Sequence, residues 1–208
     1  MMYNLVNAIR FEGSGFPCTE QHLKNQKWAQ DSWSLLGLKW TSITRVGHVY
    51  CHELVEELIK HDVGAHIDSD IILTEPVLKV FEFIKNQKEP AWATSHRYCF
   101  DEENYSNFIE HSEIISPYGV SIFIGNKIFW ENWLSEMPKN LSRFGVTDDQ
   151  GLLSFGNLKH SEYSWDFTDL KCVFHPNHEG RAENRSDYNM NVKMDTTYAG
   201  IPSKKIQL

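Results

Sequence analysis

The sequence predicts an α/β fold, a sheet with helices on its faces. Three observations predict it. Short β-branched apolar runs alternate with amphipathic helical segments along most of the chain. Hydrophobic residues make up 41% of the 208, enough for one domain with a sizeable core. One of the runs, residues 65–75, carries two carboxylates, Asp68 and Asp70, in the sequence Ala-His-Ile-Asp-Ser-Asp-Ile-Ile-Leu-Thr-Glu.

That run reads as a buried strand. Side chains alternate across a strand, so Asp68 and Asp70 are expected to face one side near its end. Two unpaired carboxylates in an apolar setting cost several kcal/mol unless a cation offsets them. Hard oxygen donors suit Mg²⁺ or Mn²⁺, which commonly bridge to substrate phosphates.

The remaining elements follow in order. Residues 4–10 read as a first strand, followed by a Gly-rich loop through Phe11–Pro17 that lacks the spacing of a P-loop or dinucleotide fingerprint. Thr19 is the expected N-cap of a helix that runs to Leu36 and stops at Gly37. Leu38–Arg45 reads as a second strand and residues 50–62 as a second helix. His48 and His52, four apart with Cys51 between them, have metal-compatible spacing, but no further donors complete a zinc site. After the Asp68–Asp70 strand, Thr74 or Glu75 is expected to cap a helix with Pro76 at its first position. Strands are expected at Ala91–Tyr98 and Val120–Ile124, and a helix at Asn126–Met137. The aromatic cluster of that helix (Phe129, Trp130, Trp133) reads as core, or as a stacking platform for a sugar. Thr147 looks like another N-cap, with Asp148 and Asp149 complementing the helix dipole. A last strand is expected at Leu170–Phe174, with His175 and His178 after it as candidate metal ligands. Residues 1–180 then form one domain, and the polar residues 181–208 a tail or lid.

The Ile-Asp-Ser-Asp segment, placed after two strand–helix units, resembles the Asp-X-Asp motif of glycosyltransferases with the GT-A fold, a Rossmann-like mixed sheet flanked by helices. The order of elements over residues 4–180 is similar to that family's. The resemblance implies a metal-dependent transferase that uses a nucleotide-diphosphate sugar, foremost a UDP-sugar. It implies Mn²⁺ or Mg²⁺ held by Asp68, Asp70 and one of His175 or His178. Arg10, at the end of the first strand, would meet donor phosphate or base. Tyr118-Gly119-Val120 would match the segment that lies under the acceptor, with Gly119 in the binding site. Asp148, Asp149 and Gln150 resemble both the Asp-Gln pair of retaining families and the X-Glu-Asp of inverting ones. The Lys-Pro-Trp that follows the terminal His in one branch is missing here.

The formal net charge of −8 argues against a broad nucleic-acid or anionic-membrane surface. The acceptor is open among a glycan, a protein, a small molecule and a modified DNA base. DNA would need the tail cations Arg181, Arg185, Lys193, Lys204 and Lys205 on one face. No apolar run has the length of a bilayer span, the N-terminus is no signal peptide, and four scattered cysteines fit free thiols in the cytoplasm. The competing chemistry is a nucleotidyltransferase or nuclease in which Asp68, Asp70 and Asp149 hold metals. A binding module without activity is the third reading.

Overall fold

The computed structural model describes residues 3–9, 11–13, 18–44, 51–101, 117–136, 161–177 and 204–208. It is an α/β fold with a mixed sheet and helices on both faces, as the alternation of segments predicts. The strands are β1 (Asn4–Ala8), β2 (Lys39–Ile43), β3 (Val63–Ile67), β4 (Ile72–Leu73), β5 (Trp92–Asp101), β6 (Pro117–Asn126), β7 (Ser164–Asp166) and β8 (Val173–Asn177). The helices are α1 (Glu20–Leu35), α2 (Cys51–Leu58), α3 (Val77–Lys85) and α4 (Lys127–Glu136). The sheet order is β2-β1-β3-β6-β5-β8-β4, with β7 also pairing with β5. β4 and β6 run against all the other strands.

Strand alternation divides the core. Leu5, Ala65, Ile67, Ala93, Ile122 and Ile124 face α1 and α3, where they meet Ala29, Trp33, Val77, Val80, Phe81 and Ile84. Val6, Trp92 and Phe123 face α2 and α4, where Leu54, Val55, Leu58, Phe129, Trp130 and Trp133 close the other side. On α3 the buried positions 77, 80, 81 and 84 follow the helical period. Fully burying each such side chain is worth about 1.5–3 kcal/mol before entropy is counted. The α4 aromatics are 0–1% exposed, at the end of the sheet opposite the carboxyl ends of the parallel strands, so they are core and not a sugar platform. The Trp130 indole N–H donates to the carbonyls of Gly64 (3.2 Å) and Gly125 (3.1 Å).

Local signals explain both ends of α1 and the start of α4. Thr19 caps α1, accepting from the His22 N–H, and His22 Nδ1 accepts from the Thr19 N–H at 3.1 Å. Gly37, with φ +69°, takes the left-handed conformation that ends α1 cheaply. Asn126 caps α4 by accepting the Phe129 N–H at 2.9 Å. At α3 the expectation of a side-chain cap from Thr74 or Glu75 is corrected. The helix begins at Val77 with no side-chain cap, and the Thr74 carbonyl takes the Val77 N–H at 3.1 Å.

Two strands also differ from expectation. The run 65–75 is not one strand. β3 ends at Ile67, and Asp68–Ile71 form a turn closed by the Ile71 N–H on the Asp68 carbonyl (3.3 Å). The strand expected at 170–174 instead runs Val173–Asn177, because Thr168–Leu170 is a 3-10 turn and Lys171 is left-handed (φ 49°). The chain's last described residues return to the sheet. Asp166 pairs with Lys205, Ile206 enters the α1/α3 core, and the Lys205 ammonium lies 2.5 Å from the Asp166 carboxylate and 3.4 Å from Asp169. Hydrogen bonding to Asp166 raises the Lys205 pKa. Lys205 is thereby paired with two carboxylates.

The turn 68–71 has a geometric consequence. β3 and β4 are separated by β6, β5 and β8, about 19 Å across a flat sheet. Ile67 and Ile72 are five residue steps apart, at most about 18 Å even when fully extended, and a turn is much shorter. The sheet must therefore crease. The β5–β6 register shifts between Ser95/His96 and His96/Arg97, each time with one extra residue on β6, and such bulges bend the strand that carries them.

A Cβ at position 125 would stand 2.7 Å from the Trp130 ring and 2.8 Å from Phe129, in fully packed core. At position 64 it would meet only the movable Leu58 Cδ2 at 2.8 Å within that range. Gly125→Ala is expected to lose about 1–3 kcal/mol in urea denaturation, and Gly64→Ala less. Equal losses would contradict the packing described.

Candidate functional site

The crease places the acidic turn beside β8. β4 pairs antiparallel with β8 through Ile72–Phe174 and Leu73–Val173, so the residues just before Ile72 come alongside those just after Phe174. His175 Nε2 lies 3.0 Å from Asp70 Oδ2, a contact between residues 105 apart in sequence. Asp70 is 7% and His175 4% exposed. A charge or polar group so buried is stable only when partnered, and each meets that need for the other.

Asp68 opens the turn and is half-buried. Its charge acts on His66, which precedes it by two residues on β3. His66 stacks on Phe123 (centroids 6.1 Å apart, 9° between planes), with Nδ1 3.4 Å from the Val6 carbonyl. Burial holds its imidazole below the usual range, and Asp68 offsets part of that shift. The expectation that strand alternation points Asp68 and Asp70 the same way is corrected, since these residues are in a turn and alternation ends with β3 at Ile67. Among the described residues no group of three His, Cys, Asp or Glu side chains is gathered to hold a metal.

The pair does fit part of a metal's coordination. The Asp70–His175 contact is a hydrogen bond at 3.0 Å, and it places an oxygen and an imidazole nitrogen side by side, both donor types that a divalent cation can take. One oxygen and one nitrogen donor leave further positions for phosphate oxygens and water, as Mg²⁺-type sites commonly do. A nitrogen donor suits Mn²⁺ better than Mg²⁺.

The turn lies at the carboxyl ends of β1, β2 and β3. β2 and β3 lie on opposite sides of β1, which makes that end the topological switch point where open α/β sheets bind ligands. Asn7, near that end of β1, is completely buried. Its Oδ1 accepts from the Ser42 hydroxyl at 2.9 Å, and its Nδ2 has no partner among the described residues. An unsatisfied buried donor costs about 1–3 kcal/mol and calls for an explanation.

Of the other sequence candidates, Gly119 is in β6, next to Tyr118, which pairs with Arg97 of β5. Arg10, Asp148, Asp149, Gln150 and His178 lie outside the described residues, as does most of the 181–208 segment. His66 and Asn7 were not singled out from sequence. The signal available was a polar side chain within an apolar strand. Cys18 and Cys172 are free, and burial pushes the Cys172 thiol up to about 12, so it is not a nucleophile. Among the described residues no helix is long and apolar enough to cross a membrane.

The His66 environment generates a pH prediction. Its folded-state pKa lies below the ordinary 6.5, so the unfolded chain binds the proton more readily. Stability is full above 6.5 and falls as pH drops through the window below it. His66→Phe keeps the stack and removes the titration. The stability of the wild type relative to this variant should shrink between about pH 7.5 and pH 5 in denaturant titrations. A pH-independent difference would contradict the assignment.

No family model and no curated protein matches the chain. Solved structures similar to it include the following three. One is a glycosyltransferase involved in the glycosylation of the major capsid of PBCV-1, with 10% identity, 92% of this chain and 100% of that one covered, and a TM-score of 0.45. A second is a protein from Bacillus anthracis assigned as a glucose-1-phosphate thymidylyltransferase, in complex with sucrose (12%, 96% and 98%, 0.43). A third is a CMP:2-keto-3-deoxy-manno-octonic acid synthetase complexed with CTP (11%, 93% and 97%, 0.38). These overlaps lie below the range that establishes a common fold.

Proposed function

We propose that the chain is a metal-dependent glycosyltransferase that uses a nucleotide-diphosphate sugar. The observation that carries this reading is the buried Asp70–His175 pair at 3.0 Å, held by an acidic turn at the carboxyl end of β3. Asp70 and His175 would hold the cation, and Asp68, half-buried at the start of the same turn, adds negative charge beside it. A divalent cation bound there, Mn²⁺ or Mg²⁺, supplies charge neutralisation for the departing nucleoside diphosphate.

The chain's own residues do the rest. Asp70 and His175 are ordered against each other before any ligand arrives, so little reorganisation is needed on binding. The switch point beside β1, next to an Asn7 Nδ2 with no partner among the described residues, fits the nucleotide end of the donor. On the acceptor side, Asp149 is the sequence candidate for taking the acceptor proton or orienting it, with Asp148 and Gln150 beside it.

The test is thermal stability against a panel of nucleotide-sugars, with and without Mn²⁺. A donor at one hundred times its Kd adds about 2.7 kcal/mol to the folded state. A Mn²⁺-dependent shift with one donor is expected, and Asp70→Ala and His175→Ala should each abolish it and also lower the melting temperature without ligand, since each leaves the other group buried and unpaired. Release of free sugar from that donor would accord with glycosyl transfer. Pyrophosphate release from a nucleoside triphosphate and a sugar phosphate would replace this reading with nucleotidyl transfer. A shift that survives both substitutions would overturn the site.

A further inference from the structure

We infer that Ser32 and Trp33 of α1 are positioning residues for the acidic turn, setting where Asp70 presents its carboxylate. The inference rests on the reading of Asp70 and His175 as cation ligands. The turn Asp68–Ile71 contains neither Gly nor Pro, and its Ile71 N–H reaches the Asp68 carbonyl at 3.3 Å, a weak bond. Alone, such a turn would sample many conformations.

Two adjacent residues of one helix remove that freedom. The Trp33 indole N–H donates to the carbonyl of Ile71, the residue after Asp70, at 2.9 Å. Trp33 is 0% exposed and packs edge-on against Trp40 of β2 (centroids 5.8 Å apart, 69° between planes), which holds its ring in place. The Ser32 hydroxyl accepts the Leu73 N–H at 3.1 Å. Its own proton goes to the Ala29 carbonyl at 2.7 Å, which leaves the oxygen free to act as acceptor toward Leu73. Both bonds are buried and both reach across about forty residues of sequence, so the helix grips the chain on the C-terminal side of the turn at two points. Ligand sites need placement to about 0.5 Å, and partners behind the ligands commonly change metal affinity 10–100-fold.

Trp33→Phe removes the indole N–H and keeps an aromatic ring in the pocket. Ser32→Ala removes the acceptor for Leu73. Mn²⁺ binding is read from the free-Mn²⁺ paramagnetic signal during titration, beside thermal denaturation of each variant. Val80→Ala, in the α3 core and remote from the turn, serves as a control of lowered stability. Trp33→Phe is expected to weaken Mn²⁺ binding about tenfold, and Ser32→Ala in the same direction, with Val80→Ala unchanged. If Trp33→Phe loses stability and binds Mn²⁺ as tightly as the wild type, its role is only structural and the inference is overturned. If that variant does not fold, Ser32→Ala decides by the same criterion. If the wild type itself binds no Mn²⁺, the cation site fails, and this inference with it.

Discussion

The structure depends on the short path from Ile67 to Ile72. Those residues begin and end a four-residue connection between strands that a flat sheet would hold about 19 Å apart. Chain length alone forbids that, so the sheet creases at the β5–β6 bulges and carries β8 and β4 back toward the end of β3. The buried contact between Asp70 and His175 follows from this fold-back. Each of the two would be costly to bury singly, and the crease brings both to the same place.

Much of the frame is legible from local chemistry. Thr19 and Gly37 mark the ends of α1 by mechanisms that operate within a few residues, and the 77, 80, 81, 84 stripe shows which face of α3 is buried. The division of the sheet into two cores follows from strand alternation, as Leu5 beside Val6 illustrates. The site was less legible. Asp68 and Asp70 draw attention by type and spacing, but the spacing was read with strand geometry, and the strand stops one residue before Asp68. His175 looked like a residue beyond a strand because nothing in Asp-Leu-Lys-Cys announces that Lys171 adopts a left-handed conformation. Bulges, and the return of Lys205 and Ile206 to Asp166, are decided by long-range packing and leave no local signature.

Polar groups in this core have assigned partners for reasons that differ by location. Asp166 is satisfied by Thr168 and Lys205 and closes the end of the chain onto β7. Asn126 caps α4 and also donates to the Glu89 carbonyl at 2.7 Å, tying the helix to the approach to β5. Both are structural. Asn7 near the carboxyl end of β1 contrasts with them, since its buried amide donor has no partner among the described residues. Trp92 Nε1 in the α2/α4 core and Asn25 Nδ2 on α1 are further buried donors with no partner among the described residues, so what sets the Asn7 donor apart is its place at the switch point.

The most direct measurement is pulsed electron paramagnetic resonance of Mn²⁺ added to the purified protein, read for nitrogen coupling. The account predicts a bound Mn²⁺ with one directly coordinated imidazole nitrogen, and loss of that coupling in His175→Ala. Bound Mn²⁺ without nitrogen coupling, or coupling that persists in His175→Ala, would contradict the assignment of the Asp70–His175 pair as the cation site.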